Sequence, residues 1–114
     1  MIVRDMVATI DAEVVAGADC LDREVTGGYA SDLLSCVMAG ALKGNIWVTL
    51  QAHMNVIAVA VLLDLSAVVI TEGVRPEAEA LARASEKDMP LLLCKQGSFT
   101  TVTRLAQVGI SGAR

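Results

Sequence analysis

The sequence predicts an α/β domain, a single small unit with a mostly parallel sheet and helices on its faces. Two observations carry this. From Asp32 onward, segments with helical spacing alternate with short apolar runs, and such alternation means a parallel sheet with helices packed on it. The run AVVIT is β-branched and continuously apolar, as suits a strand covered on both faces, and NIWVTL and PLLLC read as further strands. A chain of 114 residues is the length of one domain, 1–114, and can bury a core without disulfides or metals.

The elements follow in order. VRDMVATI places Val3, Met6, Val7 and Ile10 on one helical face. EVVA reads as a strand ended by Gly17 and Asp19, and residues 25–31 as a strand at a sheet edge. In the segment 32–43, Leu33, Leu34, Val37, Met38, Ala41 and Leu42 form one stripe, with Asp32 placed to cap the helix and Gly44 to stop it. NIWVTL is a strand, residues 54–64 a buried helix and AVVIT a strand. Pro76 suits a first helical position, and Glu79 and Arg83 stand four apart in the helix that follows. PLLLC is a buried strand. Ser98 then caps a last helix through Gln107, with Phe99, Val102, Leu105 and Ala106 turned inward. Crossovers between the parallel strands are expected to be right-handed.

Composition narrows the function. Hydrophobic residues make up 54% of the chain and aromatic ones 3%, so the core is aliphatic, with apolar surface left for a partner. The net charge of −4 and the lack of a basic block remove the footprint of a nucleic-acid binder. Three cysteines, Cys20, Cys36 and Cys94, have neither disulfide nor zinc spacing and read as buried thiols in a reducing cytoplasm. The first residues lack the features of a secretory leader. The apolar stretch 56–70 is short for a membrane span and carries Asp64 in its middle.

Chemistry is expected at the carboxyl ends of the strands, where open α/β sheets bind ligands. Three polar clusters fall there: Thr49, Gln51, His53 and Asn55; Thr71, Glu72 and Gly73; and Lys95, Gln96, Gly97 and Ser98. Each precedes a helix whose free N–H groups favour an anion. His53 reads either as a ligand contact or general base, or as a polar cap on the helix after it. No metal-ligand spacing, Walker loop or nucleophile elbow occurs, and no cofactor is implied. Gly27 and Gly28 suit a phosphate cradle or an ordinary turn. Asp22 and Arg23 point apart if extended, so each needs its own partner, on this chain or a second subunit. For an enzyme the sequence offers only Cys94, His53 and Asp64, far apart along the chain.

Asp22, Arg23, Thr26, Gly27 and Gly28 supply in order the letters of the DRTGG domain, with Glu24 and Val25 between the Arg and the Thr. YASDLLS, WVTLQAHMN, AVAVLLDLSAVVITEG and MPLLLC continue the pattern, so that residues 3–112 resemble this family. The resemblance implies a fold similar to the N-terminal domain of HPr kinase/phosphorylase, without that enzyme's P-loop. It implies an accessory module of the kind found beside CBS domains, in some inorganic pyrophosphatases and in long phosphotransacetylases, with no established catalytic residues. The expectation is a cytoplasmic, non-catalytic regulatory or assembly module that forms a homodimer, with Asp22, Arg23, Thr26, Gly27, Gly28 and Tyr29 at or near the interface. The alternative is a sensor holding a nucleotide or other small anion on Thr49, Gln51, His53, Asn55, Thr71 and Gly73. A protein partner suits the first reading; nucleic acid and membrane suit neither.

Overall fold

The computed structural model describes residues 1–112. Its elements are α1 (Val3–Thr9), β1 (Glu13–Ala16), a 3-10 turn (Ala18–Cys20), β2 (Gly27–Ala30), α2 (Leu34–Gly40), β3 (Asn45–Thr49), α3 (Met54–Leu62), β4 (Ala67–Ile70), α4 (Ala78–Glu86), β5 (Leu91–Leu93) and α5 (Ser98–Gln107). The sheet order is β1-β5-β4-β3-β2. Strands β2 to β5 are parallel neighbours in sequence order, and β1 joins β5 antiparallel, making the sheet mixed.

Two cores flank the sheet. On one face Val37 and Ala41, Val56, Ile57 and Ala60, and Ala80 and Ala84 pack on Trp47, Val68, Ile70, Leu91 and Leu93. This is the layer of α2, α3 and α4. On the other face Val3, Met6 and Ile10 of α1 and Leu105 of α5 pack on Ile46, Val48, Val69 and Leu92. Residues of β3, β4 and β5 alternate between the two clusters, as period-two side chains must. All three strands are buried along their length; β4 and β5 are wholly apolar, and the buried polar residues of β3, Asn45 and Thr49, stand at its two ends.

Several local readings change. Helix α2 runs only from Leu34 to Gly40, and Asp32 caps nothing; its Oδ1 instead accepts from Thr49 Oγ1 at 2.9 Å and Leu50 N at 2.7 Å. The expected stripe on α2 is divided: Val37 and Ala41 are buried, while Leu33, Met38 and Leu42 are more than half exposed. Pro76 precedes α4, which starts at Ala78 after Glu77 in an extended conformation. Glu79 and Arg83 form no ion pair. On α5 the inward residues are Thr101 and Leu105, whereas Phe99 is 87% exposed and Val102 and Ala106 also face out. Ser98 opens this helix but does not cap it, because its hydroxyl is 2.6 Å from Thr71 Oγ1. Of the thiols only Cys94 is buried; Cys36 is exposed and Cys20 half-buried. No helix among the described residues is long and apolar enough to cross a membrane.

Candidate functional site

Parallel strands give the sheet two unlike ends. Residues just before β2, β3 and β4 gather at the amino end, and the DREVTGG segment lies there. Asp22 Oδ1 accepts from Arg4 Nη2 at 2.8 Å, and Arg23 Nη2 donates to Asp64 Oδ1 at 2.7 Å. Lys43 Nζ stands 3.5 Å from the other oxygen of Asp64. Adjacent Asp22 and Arg23 do diverge, but both find partners within the chain. Thr26 Oγ1 donates to Lys43 O at 2.8 Å and accepts from Asn45 Nδ2 at 3.3 Å. Ser66 Oγ donates to Glu24 O at 2.5 Å, and Asn45 Oδ1 accepts from Leu42 N at 2.9 Å. The segment thereby stitches the starts of three strands together.

Gly27 and Gly28 are strand residues of β2 with no positive φ, so they form no phosphate cradle. They provide room: a Cβ on Gly27 would sit 3.0 Å from Ser111 O, and one on Gly28 would sit 3.2 Å from Ile110 Cγ2. Gly28 N donates to Ser111 O at 2.8 Å, so residues after α5 lie along this edge of the sheet. Tyr29 Oη reaches back to Cys36 O at 3.1 Å, tying β2 to α2.

At the carboxyl end the clusters are brought close but consume one another. Thr49 is buried on Asp32, and Gln51 Nε2 donates to Asp32 O at 3.0 Å. His53 is the N-cap of α3, with Nδ1 accepting from Asn55 N at 3.1 Å. The capping reading of His53 therefore holds. Glu72, at φ +62, places Oε2 2.9 Å from Ser98 N and fills the start of α5 with a carboxylate. Glu77 precedes α4 and Glu79 lies in its first turn. These helix starts already hold an acceptor or an acidic neighbour, so the anion affinity expected of them is spent within the chain.

The open space lies to one side of these clusters. After β4 the chain crosses to the layer of α2, α3 and α4; after β5 it crosses to the opposite layer, with α1 and α5. Loops that part in this way leave a crevice between two strand ends, the place where open α/β sheets take ligands. A crevice of about 410 Å3 is found there, lined by Asp11, Ala12 and Glu13, by Gly73, Val74 and Arg75, and by residues 93–96. Two acids and two bases line it, and Arg75 Nη1 stands 3.8 Å from Glu13 Oε1 across it. Gln96 lines it as well, and its Oε1 is buried without a hydrogen-bond partner. Of the residues assigned to the sensor reading only Gly73 lines it, together with Lys95 and Gln96 of the third polar cluster; Thr71 is buried on Ser98. Asp11 and Glu13 gave no signal in the sequence, because only the antiparallel pairing of β1 with β5 brings them to the end of β5.

The model of the DRTGG domain matches residues 5–108. The chain belongs to the DRTGG domain family. The comparison with curated proteins gives no match. Among solved structures, the DRTGG domain described here is similar to a crystal structure of the CBS and DRTGG domains of the regulatory region of Clostridium perfringens pyrophosphatase, complexed with its activator diadenosine tetraphosphate. The TM-score is 0.75 at 17% identity, covering 91% of this chain but only 45% of that one. That likeness is one of fold. In this DRTGG domain the residues that name the family hold the amino end of the sheet together beside a shallow hollow of about 370 Å3, and the crevice of about 410 Å3 opens at the other end. Among the described residues no group of three or more His, Cys, Asp or Glu is placed to hold a metal ion.

Proposed function

We propose that this DRTGG domain is a non-catalytic regulatory module that binds a small molecule in the crevice at the ends of β4 and β5. The observation that carries the reading is the crevice itself. It is open, within the size range of small-molecule sites, and lined by convergent charged and amide groups at the point where the connections change face. The fold shared with the regulatory region of a pyrophosphatase that is bound to an activator supports the same reading. An enzyme finds less support. Cys94 Sγ is buried near Ile10 O and Thr101 Oγ1, His53 caps a helix, and Asp64 pairs with Arg23 at the opposite end of the sheet.

A second observation favours assembly alongside sensing. Helices α2 and α3 contain no charged residue, yet Met38 on α2 and Leu62 on α3 are more than half exposed, with Leu33 and Leu42 exposed at either end of α2. A helix that is apolar on its outer face is ordinarily covered. A homodimer through this layer would use the outer face of α2 and α3, whose exposed Leu42 and Leu62 adjoin Lys43 and Asp64, the residues that hold the DREVTGG segment.

The test is a thermal-shift panel on phosphate-free protein, with molecular mass from light scattering on the same sample. The panel holds adenine nucleotides, diadenosine tetraphosphate, acetyl phosphate, free amino acids and simple anions. A ligand at ten times its dissociation constant adds about 1.4 kcal/mol, a rise of about 4 °C or more for a domain of this size. A response that is lost in Arg75→Gln supports the crevice. Silence across the panel with a dimeric mass leaves assembly as the function.

A further inference from the structure

From the chemistry of its walls we infer that the crevice takes a zwitterion carrying one cationic and one anionic group on an aliphatic body, of which a free aliphatic α-amino acid is the simplest form. This deepens the proposed function and rests on reading the crevice as a ligand site.

The charges are of both signs and are grouped by origin. Asp11 comes from the α1–β1 connection and Glu13 from the start of β1, whereas Arg75 and Lys95 come from the segments after β4 and β5. A polyphosphate brought to Arg75 and Lys95 would meet two carboxylates and gain little. A ligand with an ammonium and a carboxylate satisfies both groups and leaves no net charge behind. The Arg75–Glu13 contact, at 3.8 Å with both side chains more than 60% exposed, is long enough to open around such a ligand. Gln96 Oε1 is a buried acceptor lacking a donor in a residue of the crevice wall, and a turn of that side chain toward the crevice would offer it to an ammonium. Ala12, Val74, Leu93 and Cys94 give the apolar part of the wall. Phosphate chemistry finds no cradle nearby, since Glu72 already occupies the start of α5 and Glu77 and Glu79 stand at the start of α4.

The experiment compares three probes of nearly one shape: L-leucine, 4-methylpentanoate, which lacks the amine, and isoamylamine, which lacks the carboxylate. Inorganic pyrophosphate and diadenosine tetraphosphate complete the set. Binding is followed by amide chemical shifts in labelled protein, with the Gln96 side-chain amide and the Gly73 amide as reporters. L-Leucine should move both reporters and bind at least tenfold more tightly than either singly charged analogue. Glu13→Gln and Lys95→Gln, both at exposed positions, should each weaken it by about tenfold. Equal binding of the three probes, or shifts away from Gly73 and Gln96, would overturn the assignment. Phosphate compounds that move the reporters when L-leucine does not would overturn the zwitterion while leaving the crevice a ligand site. No response to any of the five would remove both.

Discussion

Replacing Gly44 by alanine tests whether the family's Thr-Gly-Gly region acts as a structural clasp. Gly44 has φ +82, and a Cβ built there lies 2.7 Å from Thr26 Cγ2 and 2.8 Å from Thr26 Oγ1. Two costs follow. Holding a non-glycine residue in the left-handed region costs about 1–2 kcal/mol. Thr26 must also give way, and its hydrogen bond to Lys43 O contributes about 1 kcal/mol. Gly44→Ala should therefore lose about 2–3 kcal/mol, or about 10 °C in Tm. Gly73→Ala is the control, because Gly73 has φ +72 with nothing within 4 Å of its added Cβ, so only the backbone cost applies. Urea unfolding of the parent, Gly44→Ala, Gly73→Ala, Thr26→Ala and the double variant Gly44→Ala/Thr26→Ala measures each part. The double variant should lose less than the sum of the single losses. Equal losses at Gly44 and Gly73 would show that Thr26 does not press on this turn, and a loss at neither would refute the backbone reasoning.

Asp64→Asn keeps a residue that tolerates φ +56 but removes the charge between Arg23 and Lys43; the half-exposed pair should be worth about 0.5–1 kcal/mol, shrinking as salt is added to the denaturation buffer. Trp47→Phe should cost about 2–3 kcal/mol in the same assay, since Trp47 is fully buried and Nε1 donates to Ser31 O at 2.9 Å, leaving that carbonyl without its partner. A thiol reagent on native protein should modify Cys36 quickly, Cys20 more slowly and Cys94 only on unfolding, as read by mass after limited reaction.

The strands were legible because burial on both faces removes most polar residues, and β3, β4 and β5 each fall inside a run marked as a strand from the sequence. The outer face of α5 was not. Phe99 looks like a core residue by chemistry, but the inward position goes to Thr101, whose hydroxyl is satisfied by Gly97 O at 2.9 Å and approaches Cys94 Sγ. A threonine that can bond its own helix is cheap to bury, and hydropathy does not register that. At the carboxyl end the polar residues were found, but not their mutual pairing. Asp32 takes up Thr49, and Glu72 takes up Ser98 N, contacts made across 17 and 26 positions. The partners of Asp22 and Arg23 were hidden for the same reason, since Asp64 lies 41 positions beyond Arg23.

The pairing of β1 with β5 also bears on the order in which the molecule assembles. Strands β2 to β5 each lie beside their successor, so every parallel pairing closes a short loop. Glu13 meets Leu93 only after nearly the whole chain has been drawn in. Loop-closure entropy makes such a contact late to form and early to open. The opening unit carries Asp11 and Glu13 with it, one whole wall of the crevice. Amide exchange at β1 is thus expected to be the fastest in the sheet, and a ligand seated against that wall to slow it, so that occupancy would be written into the persistence of a strand at the sheet's margin.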